Sequence, residues 1–288
     1  MTSSRPAISE DCIAIAGVGL IGGSIAAALK ANGFSGKVIG LGRNQERLDG
    51  AKSLGLIDEA TTDVQSIAAG PSLWIFCTPV DRIVSGVQQA AALAKPNAVF
   101  TDAGSTKQTI CEELGSQLAN QTEFVGSHPV AGSEKNGYEH ADPTIFENRL
   151  CVITPTSSNT ASATARVEQL WHSMGMRTIS ISPSEHDRQL ATTSHLPHVA
   201  AAALASLIDE SNQQFTAGGF KDTTRVAGGD PDLWTAILSR NHRNVADSIA
   251  VLTQTLAEFQ DAIADNDEGR IRKLLADGQR ARQTLDDD

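Results

Sequence analysis

Residues 12–24, CIAIAGVGLIGGS, run from a short apolar stretch into Gly17, Gly19 and Gly22, then into the helical pattern GSIAAALKANG that Gly33 stops. The spacing G-x-G-x-x-G carries little weight alone. Between a strand and a helix at the first turn of an alternating pattern it has a mechanical meaning. The first glycine permits a tight turn, the second lets a pyrophosphate approach the backbone, and the third lets the helix pack close to the strand. The helix start offers unpaired N–H groups and partial positive charge to phosphates. Gly17, Gly19, Leu20, Ile21 and Gly22 are therefore read as a dinucleotide cradle.

The pattern repeats outward from this turn. KVIGLGR is a second apolar run and QERLDGAKSLG a second helix; SLWIFCTP (72–79) is a third strand, followed by the helix DRIVSGVQQAAALA. NAVFTDAGS then precedes TKQTICEELGSQL, and EFVGSHP, ENRLCVITP and MRTISIS read as further strands. Strands alternating with helices of about a dozen residues predict helices on both faces of a parallel sheet. The fold class expected is α/β: a Rossmann-type, doubly wound, mostly parallel sheet over residues 1–182, then an all-α domain over 183–288. Thr78 and Pro79, at the end of the third strand, are expected to touch the cofactor.

Past Pro183 strand signals vanish. HDRQLATTSHLPHVAAAALASLI predicts an Ala-rich helix bent at Pro197, which lacks an N–H donor. Trp234, Leu238, Asn241, Val245, Ile249, Leu252, Leu256, Phe259 and Ile263 recur every three or four positions. This predicts one helix of about 30 residues with a continuous stripe to bury, against other helices or a second subunit.

The net charge is −11; residues 1–182 carry 13 basic and 17 acidic side chains, residues 183–288 carry 10 and 17. Neither part has the positive surface that a phosphate backbone requires, so nucleic acid is not an expected partner. No signal-peptide core and no apolar run of about 20 residues is present, so no membrane association is expected. Cys12, Cys77, Cys111 and Cys151 form no CxxC pair and read as reduced core thiols, consistent with a cytoplasmic protein.

The second strand should distinguish the cofactors. It ends at Gly40-Leu41-Gly42-Arg43 without the carboxylate that would accept hydrogen bonds from the ribose hydroxyls of NAD. Arg43 can instead pair with a 2′-phosphate, so NADP is favoured over NAD.

His128 lies in GSHPVAGSEKNG (126–137), after a strand and therefore near the ligand crevice of an open sheet. GVGLIGGS, CTPV (77–80), TDAGSTK (101–107), GSHPVAGSE (126–134), SHLPH (194–198) and GGFKDTTRVA (218–227), followed by DLW and Asn241, occur in an order that resembles the prephenate/arogenate dehydrogenase family. The resemblance runs from about Cys12 to about residue 280. It implies oxidative decarboxylation of prephenate or L-arogenate to 4-hydroxyphenylpyruvate or tyrosine, in tyrosine biosynthesis, by a homodimer joined through its helical domain.

The same resemblance implies that His128 is the general base and that Ser105 orients the reacting hydroxyl, although Ser105 also reads as a helix N-cap. It assigns substrate contacts to His195 and Arg225, with Lys221 and Glu134 in support, and requires no metal. An Arg225–Asp222 ion pair is the competing reading of that guanidinium, and His198 reads as structural. Another small-substrate dehydrogenase of imine or β-hydroxyacid type, or a non-catalytic NADP-sensing protein, would also account for the cradle. The sequence ends at Asp288 with no regulatory module of ACT type, so tyrosine feedback through one is not expected.

Overall fold

The computed structural model describes residues 6, 8–115, 118–132 and 135–285. Six parallel strands form the main sheet in the order β3-β2-β1-β4-β5-β6: β1 Cys12–Ala16, β2 Lys37–Leu41, β3 Glu59–Thr61, β4 Leu73–Phe76, β5 Val99–Asp102 and β6 Glu123–Phe124. Helices α1 Leu20–Ala31, α2 Gln45–Ser53, α3 Val80–Ala91 and α4 Gln108–Leu114 connect them.

The pleat sorts the core. Ile13, Ile15, Leu73 and Ile75 face one side and pack with Ile25 and Leu29 of α1, while Ala14, Trp74 and Phe76 face the other and pack with Ile83 and Val87 of α3. Both faces are covered, which is why the strands are apolar throughout.

EFVGSHP, expected as one strand, is two. Phe124 pairs with Phe100 in the main sheet, whereas β7, Gly126–Pro129, pairs antiparallel with β8, Leu150–Thr154. β9, Arg177–Ser180, completes this second sheet in the order β7-β8-β9. The chain crosses between sheets at Gly126, where a Cβ would lie 2.4 Å from Thr154 Oγ1. α5, Ala161–Ser173, links β8 to β9 and contributes Trp171 to the core.

The remainder is helical: α6 Pro183–Leu190, α7 Leu196–Ala205, α8 Gly218–Thr224, α9 Pro231–Arg240, α10 His242–Ala264 and α11 Glu268–Gln283. A π turn spans Ala191–His195, and Pro197 follows as the second residue of α7. It absorbs the ladder bond that proline cannot make, so α6 and α7 follow one another with an irregular turn between them.

The single long helix expected over 234–263 is broken at Asn241, where φ −110° and ψ 25° leave the helical region. The Asn241 side chain explains the break, because it bonds to a neighbouring helix rather than facing solvent. The stripe continues past the break but is only partly covered: Val245 is buried, while Leu256 and Ile263 are 57% and 61% exposed.

Candidate active site

A cleft of about 720 Å³ opens at the carboxyl ends of β1 and β4, the point where the strand order reverses. The sheet half lines it with Gly19, Leu20, Ile21, Thr78, Pro79, Ser105 and His128. His195, His198, Arg225 and Trp234 enter from the helical half.

The three glycines do different work. Gly17 has φ +92°, and a Cβ there would lie 2.7 Å from the Cys77 carbonyl oxygen. A Cβ on Gly22 would lie 2.2 Å from the Gly17 carbonyl, so these two allow the turn to form at all. A Cβ on Gly19 would meet nothing within 4 Å and would project into free space. Beside it, α1 begins with no side-chain cap and no acidic residue in its first turn. The Thr78 hydroxyl is buried without a partner. Open space, uncapped N–H groups and an orphaned hydroxyl suit a dinucleotide phosphate.

His128 sits on β7 opposite Val152 and is almost fully buried. Its Nδ1 lies 2.8 Å from His186 Nε2, and His186 Nδ1 lies 2.7 Å from Asp187 Oδ1. Asp187 also accepts the backbone N–H groups of Lys107 at 2.7 Å and Gln108 at 3.0 Å, at the start of α4. The helical half thus caps a helix of the sheet half with a carboxylate, the favourable sign at a helix N-terminus. Ser105 is not the cap: α4 starts at Gln108 with no side-chain cap of its own, which leaves Ser105 on the cleft wall.

Beneath this, Asp102 and Lys107 form a fully buried ion pair. Asp102 also accepts from Ser127 N at 3.1 Å and Gly104 N at 2.9 Å, fixing the segments that carry His128 and Ser105.

His195 is fully buried. Asn241 Nδ2 donates to the Asp187 carbonyl at 2.7 Å and to His195 Nδ1 at 3.1 Å, while His195 Nε2 has no protein partner. Burial pushes His195 down to about 4. It also holds His128 well below the ordinary histidine range, an effect strengthened by His186, Lys107 and His195. Both are neutral imidazoles near pH 7. His198 stacks on the Trp234 indole with centroids 3.5 Å apart, which gives the ring a packing role at the cleft wall.

Arg225 begins the short 3₁₀ turn Arg225–Gly228 and is exposed at the cleft. Lys221 is exposed on α8, outside the lining residues. Arg43 lies two residues beyond β2, exposed, at the end of the sheet where Gly17 N donates to the Leu41 carbonyl at 2.8 Å. Glu134 lies outside the described residues.

Sequence reasoning missed His186 and Asp187 as site residues. The signal available was a His-Asp pair within a well-marked helix, with Ser182 capping Glu185 N at 3.2 Å and Pro183 at its start. Nothing local says that this turn meets α4 and β7.

Comparison with known proteins places the chain in a family. Residues 25–180 match the family model described as prephenate dehydrogenase, nucleotide-binding domain, and residues 182–277 match prephenate dehydrogenase, dimerization domain. The chain is 32% identical over 283 residues to a cyclohexadienyl dehydrogenase of Zymomonas mobilis, covering 96% of both chains. It is 34% identical over 245 residues to a prephenate dehydrogenase of Bacillus subtilis, covering 83% of this chain and 66% of that one. Among solved structures it is similar to prephenate dehydrogenase from Aquifex aeolicus in complex with hydroxyphenyl propionate and NAD+, with a TM-score of 0.90 at 30% identity over 96% of this chain and 99% of that one. The chain belongs to the prephenate dehydrogenase family.

Proposed function

We propose that the chain oxidatively decarboxylates prephenate or L-arogenate, using NAD(P)+, to give 4-hydroxyphenylpyruvate or tyrosine. The observation that carries this reading is that His128, from the sheet half, and Arg225, from the helical half, line one cleft beside Gly19. The dinucleotide, when bound along Gly19 and the start of α1, supplies the hydride acceptor.

The chain's own residues do the rest. His128 accepts the proton of the ring C4 hydroxyl, and Ser105 orients that hydroxyl. Arg225 pairs with a substrate carboxylate through its planar fork, with Lys221 four residues earlier adding positive charge, and His195 makes a further substrate contact. As C4 loses hydride and its hydroxyl loses a proton, the bond from the ring to its carboxylate breaks. Carbon dioxide leaves, its bonding pair moves through the ring to the C4 oxygen, that oxygen takes the proton back from His128, and aromatisation drives the step.

Arg43, at a strand end without a carboxylate, favours NADP+ over NAD+. The division of labour falls at residue 182, between a nucleotide domain and a helical domain that binds substrate and dimerises. Exposed Leu256 and Ile263 on α10 support the homodimer, and the unpaired cysteines fit a reducing cytoplasm.

Absorbance at 340 nm with each substrate and each cofactor tests the reading. Reduction of NADP+ by prephenate or arogenate is expected. Nucleotide binding without turnover of either substrate would favour the sensor reading instead.

A further inference from the structure

Hydrogen-bond logic determines where the protons sit in this cleft. An ionised carboxylate only accepts, so His186 Nδ1, 2.7 Å from Asp187 Oδ1, carries its hydrogen. In neutral His186 the other nitrogen, Nε2, is then a lone pair. His128 Nδ1, 2.8 Å from it, must donate. Neutral His128 is left with a bare Nε2.

The same residue acts on His195 by another route. The Asp187 carbonyl only accepts, so the Asn241 atom 2.7 Å from it is the amide nitrogen. The opposite end of that amide agrees, since Asn241 Oδ1 accepts from Asn244 Nδ2 at 2.8 Å. The amide nitrogen also faces His195 Nδ1 at 3.1 Å, which must therefore accept. Neutral His195 carries its hydrogen on Nε2, a buried donor with no partner in the protein.

We propose that Asp187 is a positioning residue that gives the two cleft imidazoles opposite tautomers, a bare Nε2 on His128 and a protonated Nε2 on His195. The side chain acts through His186 and the backbone carbonyl through Asn241. This rests on the reaction proposed above and deepens it: one imidazole takes the hydroxyl proton, and the other offers a hydrogen bond to a substrate oxygen. An unsatisfied buried donor is costly, and a carboxylate or carbonyl oxygen of the substrate satisfies it. Because Asp187 also caps α4 of the sheet half, the assignment is made only when the two halves are docked.

Nitrogen-15 NMR of the histidines in the free, full-length protein tests this without any turnover. His128 and His186 should show the Nδ1–H tautomer and His195 the Nε2–H tautomer at neutral pH. His128 with its hydrogen on Nε2, or His195 with its hydrogen on Nδ1, would overturn the proposal even in an active enzyme. Kinetics supply the second arm. His186→Phe removes the acceptor and should lower kcat by a factor on the order of 10²–10⁴ with KM little changed, as when a triad histidine loses its tautomer. His186→Gln restores an acceptor and should recover much of that loss. Equal kcat for wild type and His186→Phe would overturn the proposal. Failure of the wild type with every substrate, tautomers as stated, would count against the reaction alone.

Discussion

Burial keeps the His128 imidazole unprotonated, and the neighbouring His186, Lys107 and His195 push in the same direction. A base must be unprotonated to act, so a depressed pKa extends activity toward acid. The acid limb of kcat/KM should therefore lie below pH 6.5, the ordinary histidine value, with the rate rising through the limb and flat above it. A pH-rate profile on the free enzyme checks this; a limb above pH 6.5 would show a different group titrating. His128→Asn should cost on the order of 10²–10⁴ in kcat with dinucleotide affinity retained, read from initial rates and nucleotide titration. Arg225 is exposed at the rim, where water competes for its partner. Arg225→Gln should raise KM by the equivalent of about 1.5–3 kcal/mol, the range for a charged hydrogen bond, and leave kcat nearly unchanged. An unchanged KM would remove Arg225 from substrate binding.

At the scale of elements, the first turn separates folding from binding within six residues. A methyl at Gly22 would meet the Gly17 carbonyl, while one at Gly19 would meet open space. Gly22→Ala should lower the thermal midpoint and abolish nucleotide binding together. Gly19→Ala should keep the midpoint and weaken the nucleotide alone. Calorimetry beside a nucleotide titration distinguishes the two. This turn could be read from sequence because strand, glycines and helix are contiguous. The sheet jump at Gly126 could not, because EFVGSHP is one unbroken short run with no turn residue between Phe124 and Ser127 other than that glycine, and only the partners of Phe124 and His128 differ. The break at Asn241 was hidden for a similar reason. One non-helical residue barely shifts the apolar period, and its cause is a carbonyl on α6 that sequence does not bring near. His128, Ser105, His195 and Arg225 stand in marked motifs, whereas His186 and Asp187 gain meaning only from β7 and α4.

Across the whole molecule, the cleft needs both halves, and the helical half has surface left to cover. Leu256 and Ile263 lie on α10 within the segment that matches the dimerization-domain model. Leu256→Glu should shift the protein from dimer to monomer in sedimentation velocity, because an uncompensated charge is expensive in an apolar interface. An unshifted dimer would move the interface elsewhere. Docking of the two halves is what brings a β7 imidazole and a guanidinium after α8 to the same cleft. A crystal structure of this protein with NADP+ and hydroxyphenyl propionate measures that directly. The phenolic oxygen should lie about 2.6–3.2 Å from His128 Nε2, with the analogue within reach of Arg225 at the same cleft. An analogue seated with its hydroxyl away from His128, or touching only one of the two side chains, would contradict the account.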